Sequence, residues 1–268
     1  MTKIFTIVKD EVDIVEDWLI YHGCMFGWNN IYIIDNYSSD GTWEKINEFS
    51  HLVNIFREND YSKKGEYMRN LINTYCYDGE IAFPIDIDEF IVYYDNNSIS
   101  IDRDVIIHHI NNLPECHVYK TNYINALITQ DNGYEKATNM IHCGLYNDMG
   151  KYAKTFFNTR YFKGMIDHGN HIVCDNYYLT KLCLVHYHCR NLEQMKKKVL
   201  NNILGLGYQN NLDFLKNLID NNNNCNGNHH VKYQINILEG NYTINSHSIN
   251  NTEIDLKPLR DRIIGKYY

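Results

Sequence analysis

The 268-residue sequence contains no run of the roughly 18–20 apolar residues that cross a bilayer. Its first ten residues hold a short apolar stretch, Ile4 to Val8, but acidic residues follow at once, where a secretory signal would carry a small-residue cleavage site. A buried strand is expected there. Positive charge is also scarce: the formal net charge of −8 argues against broad contacts to a phosphate backbone, so no nucleic-acid partner is expected. A local basic pocket for one diphosphate is compatible with that balance. The eight cysteines include no C-x-x-C pair, so a zinc ribbon has no support, and reduced thiols in the cytoplasm are the simplest reading. No internal repeat occurs.

What is present is a 44% hydrophobic fraction, enough for a core, in a chain long enough for one large α/β domain with or without a small accessory piece. The abundance of Asn, Ile, Lys and Tyr, with a pure asparagine run from Asn221 to Asn224, reads as the bias of an AT-rich genome, such as that of a giant virus or a protist.

The first 95 residues alternate strand and helix signals. Ile4–Val8 reads as a buried parallel strand. From Glu11 to Phe26, residues Ile14, Val15, Trp18, Leu19, His22 and Phe26 recur at helical spacing, with Asp10 as the expected N-cap and Gly27 as the stop. Strands are expected at 30–35, 52–56 and 81–87. Helices are expected from the Ser38–Thr42 turn to about Phe49, and over Lys64–Tyr75, where Met68, Leu71, Ile72 and Tyr75 share a face. This order predicts a doubly wound, mainly parallel, Rossmann-like sheet, whose ligands sit at the carboxyl ends of the strands. Beyond Phe90, a helix at 104–112, strands at 117–123 and 182–188, and a helix at 192–204 are expected. Residues 125–178 read as loops and short strands, 220–228 as an exposed loop, and 231–268 carry no clear pattern.

Four clusters carry candidate chemistry. In Asp86-Ile87-Asp88, placed at a strand end, alternation aims both carboxylates the same way, and a hard cation such as Mg²⁺ or Mn²⁺ relieves their repulsion. The alternative is a solvated acidic turn; the apolar strand before it favours a cleft. Asp35 can accept a hydrogen bond from a base or a ribose, while Ser39 or Asp40 caps the following helix. Arg69 pairs with phosphate if its helix face meets the pocket, and is a surface residue otherwise. His186 and His188 share one side of a strand, as ligands completing a metal site or as buried histidines. Cys183 and Cys189 near them allow a zinc reading. Asn36-Tyr37-Ser38 is a formal glycosylation acceptor inside the expected pocket, where a glycan would block binding.

Taken together these pieces resemble the GT-A glycosyltransferases, specifically the family 2-like and family 92-like enzymes. Their strand–K-N-E, E-W-x-x-Y-H, D-N-x-S-x-D-G-T, G-x-x-x-R-N, D-x-D-E-F and H-Y segments correspond here to six stretches in the same order. These are Lys9-Asp10-Glu11, Glu16 to His22, Asp35 to Thr42, Gly65 to Asn70, Asp86 to Phe90, and His186-Tyr187. The resemblance spans residues 3–95 and, less closely, 180–200; Asp10 replaces the usual Asn, and Arg190-Asn191 the usual Lys-Ser.

The resemblance implies a metal-dependent transfer from a nucleoside-diphosphate sugar, a UDP-sugar first, to a hydroxyl on a glycan, protein or lipid. It implies that Thr6, Val8, Glu11 and Asp35 cradle the nucleotide, that Asp86 faces ribose and metal, and that Asp88 and His186 ligate the metal, the nitrogen ligand favouring Mn²⁺. Arg69 and Lys154 are candidates for the diphosphate, Lys154 having a solvated surface lysine as its alternative. An inverting reaction needs a base; Asp131, Asp148, Asp167, His168 and His171 lie in the acceptor-side stretch. The expected division is a glycosyltransferase domain over 1–205 (nucleotide-sugar half 1–95, acceptor half 96–205) and a helical or irregular extension over 206–268. The rivals are a sugar-phosphate nucleotidyltransferase, which would carry a glycine-rich loop that is missing after Val8, and a non-catalytic nucleotide-sugar or glycan-binding module.

Overall fold

A computed structural model describes residues 1–126, 136–141, 154–162, 164, 166, 169–170, 176–187, 192–221, 225, 227–241 and 254–263. Contacts divide the chain into two units, one of 1–126, 135–187 and 250–268, the other of 127–134 and 188–249.

The first unit is α/β. Strand β1 (Thr2–Val8) lies between β2 (Ile31–Asp35) and β4 (Ile81–Pro84), with β3 (Asn54–Arg57) outside β2, and all these pairings are parallel. This half is the Rossmann-like arrangement expected. The sheet continues from β4 through β9 (Thr155–Asn158), β7 (Tyr119–Ala126), β10 (Tyr178–His186), β5 (Glu89–Asp95) and β6 (Ser98–Ser100). There β7 and β10 are parallel, while β4–β9, β9–β7, β10–β5 and β5–β6 are antiparallel. A further strand, β8 (Lys136–Ile141), pairs with β7.

Register gathers the carboxyl ends. Val8 stands opposite Asp35, Asp35 opposite Arg57, and Phe5 opposite Pro84, so the chain leaving β4 emerges beside Val8 and Asp35. Helix α1 (Val15–Phe26) closes one face, α2 (Thr42–Glu48) follows β2, and α3 (Lys64–Tyr75) covers β1 through Met68, Leu71 and Ile72. Trp18, Tyr21 and His22 lock α1 onto β5: the Trp18 indole donates to the Glu89 carbonyl (3.0 Å) and the Tyr21 hydroxyl to that of Ile91 (2.6 Å). The His22 ring lies against Phe26 and Phe90.

Several boundaries differ from expectation for physical reasons. Gly27 does end α1, at φ 90°, but Asp10 does not cap it. Asp10 takes φ 54° and accepts from the Ser39 amide (2.7 Å), tying the β1 and β2 loops together, and α1 begins only at Val15. Strand β4 stops at Pro84 rather than Ile87, because a turn closed by the Glu89 amide on the Asp86 carbonyl (3.1 Å) interrupts it. The 231–268 stretch is more ordered than its pattern suggests. Ile254–Asp255 (β11) pairs with β8, and the last helix, Lys257–Ile263, packs on α1 with Leu259 and Ile263 buried. Helix α4 (Arg103–Asn111), capped by Asp102, completes this unit.

The second unit holds α5 (Leu192–Gly205), α6 (Leu212–Asn221) and α7 (Asn228–Leu238). Ile203, Leu215, Cys225 and Val231 form its core, with Phe214, Leu218 and Ile235 packed against them. The last helix among the described residues, Lys257–Ile263 of the first unit, is α8.

Candidate functional site

At the carboxyl edge of the parallel strands, the turn between β4 and β5 carries a buried ion cluster. Asp86 holds Lys154 through one carboxylate oxygen (2.7 Å) and Lys64 through the other. Lys154, immediately before β9, also reaches Glu89 at 3.3 Å. Glu89 is fully buried: Oε1 accepts from the Tyr123 hydroxyl (3.0 Å) and Oε2 from the Asp86 amide (2.8 Å). Beside them, His186 Nε2 lies 3.4 Å from Asp88 Oδ2, and the Asp88 carbonyl accepts from the Tyr187 amide (2.8 Å). Asn170 braces the base of the site, donating to the Pro84 and Thr155 carbonyls.

The electrostatics follow from the pairings. Burial alone would raise the Asp86 carboxyl, but Lys154 and then Lys64 outweigh it and hold it well below the usual carboxylate range. Burial would likewise lower both lysines, and Asp86 overrides it in each, so both stay charged. At Glu89 burial wins and its pKa rises, with Lys154 only partly offsetting it. Burial also pushes the Tyr123 phenol well up.

The sequence-derived residues therefore separate. Asp86 and Asp88 do not converge by strand alternation, because both lie in the turn: Asp86 faces two lysines and Asp88 faces His186. Lys154 is not a solvated lysine, being 3% exposed. Arg69 is exposed on α3. Thr6 is buried within the sheet, and its hydroxyl has no hydrogen-bond partner among the described residues. The Val8 carbonyl accepts from the Asn36 amide (2.8 Å), and the Glu11 amide donates to the Thr42 hydroxyl (2.9 Å). Asp35 is fully buried, pairs with Arg57 (3.0 Å) and accepts from the Ser38 amide. The Arg57 guanidinium lies 4.3 Å from the ring centres of Tyr37 and Trp43, closing this side of the edge. Asn36 donates its amide to the Glu58 carbonyl (2.6 Å) and is buried, so the sequon is structural. The candidate bases Asp131, Asp148, Asp167, His168 and His171, and also His188 and Cys189, lie outside the described residues.

Lys64, Glu89 and Tyr123 are missing from the sequence-derived set. Lys64 had a signal: it precedes Met68, Leu71 and Ile72 by four, seven and eight residues, so it is a lysine on the apolar stripe of α3. Glu89 and Tyr123 meet only through the sheet order.

The donor types suit a divalent cation, two carboxylates and an imidazole. Asp88 and His186 already stand together, and Asp86 is within reach of solvent. Among the described residues, however, no three such side chains converge as a ready-made metal site, since Asp86 is engaged by ammonium groups.

No protein-family model matches the chain, and no curated protein matches it in sequence. Solved structures do. A mannosyltransferase from Pyrobaculum calidifontis in complex with GDP-Man and Mn²⁺ is 10% identical over 82% of this chain and 64% of its own, with a TM-score of 0.44. Glucosyl-3-phosphoglycerate synthase from Mycobacterium tuberculosis, in complex with Mn²⁺, UDP and glucosyl-3-phosphoglycerate, is 12% identical over 46% of this chain and 44% of its own (TM-score 0.33). A cytidylyltransferase from Leptospira borgpetersenii is 10% identical over 45% and 53% (TM-score 0.32). The chain spans less than two thirds of each of these three proteins.

Proposed function

We propose that the chain is a glycosyltransferase of the GT-A type that takes a nucleoside-diphosphate sugar, a UDP-sugar first, and passes the sugar to a hydroxyl on a glycan, protein or lipid. The observation that carries this reading is the ion cluster of Asp86, Lys64, Lys154 and Glu89, with Asp88–His186 beside it, at the carboxyl edge of a β3-β2-β1-β4 parallel sheet. Open α/β sheets bind nucleotides at that edge. Negative charge grows on the leaving diphosphate during transfer, and fixed cations in a dry site stabilise it most. Lys64 lines a small cavity together with Asp86 and is one such cation. Lys154, held by Asp86 and Glu89, keeps both carboxylates in place. A divalent ion on Asp86, Asp88 and His186, Mn²⁺ before Mg²⁺, would add Lewis-acid stabilisation of the same leaving group. The acceptor's base is sought among Asp131, Asp148, Asp167 and His168.

The test measures release of nucleoside diphosphate from UDP-, GDP- and dTDP-sugars, with and without Mn²⁺, in wild type and Asp88→Ala. Metal-stimulated release that drops by about 10²-fold or more in the variant is expected. Release that persists unchanged in Asp88→Ala removes the metal role. Binding without release at any acceptor makes the chain a binding module. Pyrophosphate formed from a nucleoside triphosphate and a sugar phosphate makes it a nucleotidyltransferase.

A further inference from the structure

At the ends of β2 and β3 the acceptor is buried and the donor faces out. The Asp35 side chain is closed to solvent and its oxygens are engaged: Oδ2 accepts from Arg57 Nε (3.0 Å), and the Ser38 amide reaches Oδ1 at 3.2 Å. What this edge offers to solvent is Arg57, whose side chain is 34% exposed. Its guanidinium lies over the Tyr37 and Trp43 rings, so that carboxylate and rings together hold its plane. With Nε on Asp35, the terminal amino groups are the donors left over, and among the described residues they have no hydrogen-bond partner. Tyr37 takes φ 52°, which is costly for a bulky side chain, and is 54% exposed beside this guanidinium. Two bonds tie the strand ends, from the Asn36 side chain to the Glu58 carbonyl (2.6 Å) and from the Glu58 amide to the Asp35 carbonyl (3.1 Å). The guanidinium fork is thus fixed before anything binds.

We propose that Arg57 reads the base of the nucleotide by its carbonyl edge, with Asp35 and Tyr37 as positioning residues. This rests on the glycosyltransferase reading, and within it moves Asp35 from contact with the base to support of Arg57. A guanidinium only donates, and its planar fork matches acceptors that lie in its own plane. Uracil presents O4 as such an acceptor, and guanine presents O6 with N7. At the same position cytosine and adenine carry an amino group, a donor that meets donors. The edge therefore takes uridine or guanosine diphosphates and rejects their cytidine and adenosine counterparts.

Calorimetric titration of the full chain with UDP, CDP, GDP and ADP in excess Mn²⁺ tests it, because each oxo–amino pair keeps ribose and diphosphate constant. In wild type the oxo member of the pair that binds, UDP over CDP or GDP over ADP, should be tighter by about tenfold or more. Arg57→Lys keeps a charge for Asp35 but loses the fork, and should bring that ratio below about threefold. Tyr37→Asn suits the left-handed backbone and lies at the surface. It removes a ring that holds the guanidinium and should lower the ratio by about threefold or more. This second variant decides the matter alone if Arg57→Lys does not fold. A ratio unmoved by Arg57→Lys, or by Tyr37→Asn where that one decides, overturns the proposal and leaves Arg57 as the structural partner of Asp35. Equal binding within both pairs in wild type also overturns it, while the glycosyltransferase reading stands. If none of the four nucleotides binds wild type, that reading fails, and the base assignment with it.

Discussion

His22 is a fully buried imidazole whose Nδ1 faces the Trp18 carbonyl at 3.0 Å. Burial pushes its pKa down to about 3, the Trp18 carbonyl acting the other way. The folded value lies below the ordinary 6.5, so the unfolded chain takes up the proton first as pH falls. This contribution to stability is complete above that value and is lost progressively towards about 3. Between pH 7.5 and pH 5 it amounts to about 2 kcal/mol. Asp17, raised to about 7 by burial and then by Glu16, works in the opposite sense. The difference between wild type and His22→Phe therefore isolates the histidine. On going from pH 7.5 to pH 5, the stability read from urea unfolding should rise in the variant relative to wild type by about 2 kcal/mol; the same pH dependence in both proteins would clear His22 as the source.

Two lysines show how much depends on burial. Lys154 is 3% exposed between two carboxylates, while Lys45 is 36% exposed against Glu16 at 2.8 Å. Lys154→Met leaves Asp86 and Glu89 short of a cation in a dry site and should cost about 3–5 kcal/mol. Lys45→Met should cost about 1 kcal/mol or less. Chemical denaturation of both variants reads the contrast, and similar losses would mean that the cluster is far better solvated than its burial indicates.

At the scale of elements, α1 to α3 and the four parallel strands were legible because their apolar spacing is local. The turn after β2 was legible too. Asp40 holds the Thr42 amide (3.1 Å) and hydroxyl (2.5 Å) at the start of α2, and also accepts from the Val12 amide (3.3 Å). Asp40→Ala should thus loosen α2 and the β1 loop together, costing about 1–2 kcal/mol in thermal or urea unfolding. A loss within about 0.5 kcal/mol would show that water replaces all three bonds. What the spacing did not give was the aim of Asp86 and Asp88. Alternation applies only while a strand continues, and the turn after Pro84 ends it. The meeting of Lys154, Glu89 and Tyr123 depends on β9, β7 and β5 lying in one sheet out of chain order, which no local pattern encodes. Trp18, Tyr21 and His22, which carry part of the family resemblance, fasten a helix to β5 through the main-chain carbonyls of Glu89 and Ile91 and the ring of Phe90, and among the described residues make no hydrogen bond to the charged groups of the ion cluster.

Over the whole molecule, the chain leaves the first compact unit at 187 and returns to it at 250, a division that residue spacing alone does not mark. The returning segment places Ile254, Leu256, Leu259 and Ile263 in the core, each at most 2% exposed. It extends the sheet through β11 and covers α1 with α8. Full burial of an aliphatic side chain contributes about 1.5–3 kcal/mol, against an ordering cost of about 1–2 kcal/mol per residue for the short segment that carries them. The net effect of the segment itself is small by that comparison. The larger effect of removing it falls on what it covers: Ile254 leaves β8 with an open edge, and the face of α1 beneath α8 is bared to water. A chain ending at Ile249 should therefore retain its helical content by circular dichroism. It should unfold at lower urea than the full chain, bind a hydrophobic dye more strongly, and self-associate at micromolar concentration. Equal urea midpoints, dye binding and sedimentation for the two chains would mean that β11 and α8 rest on the first unit without supporting it.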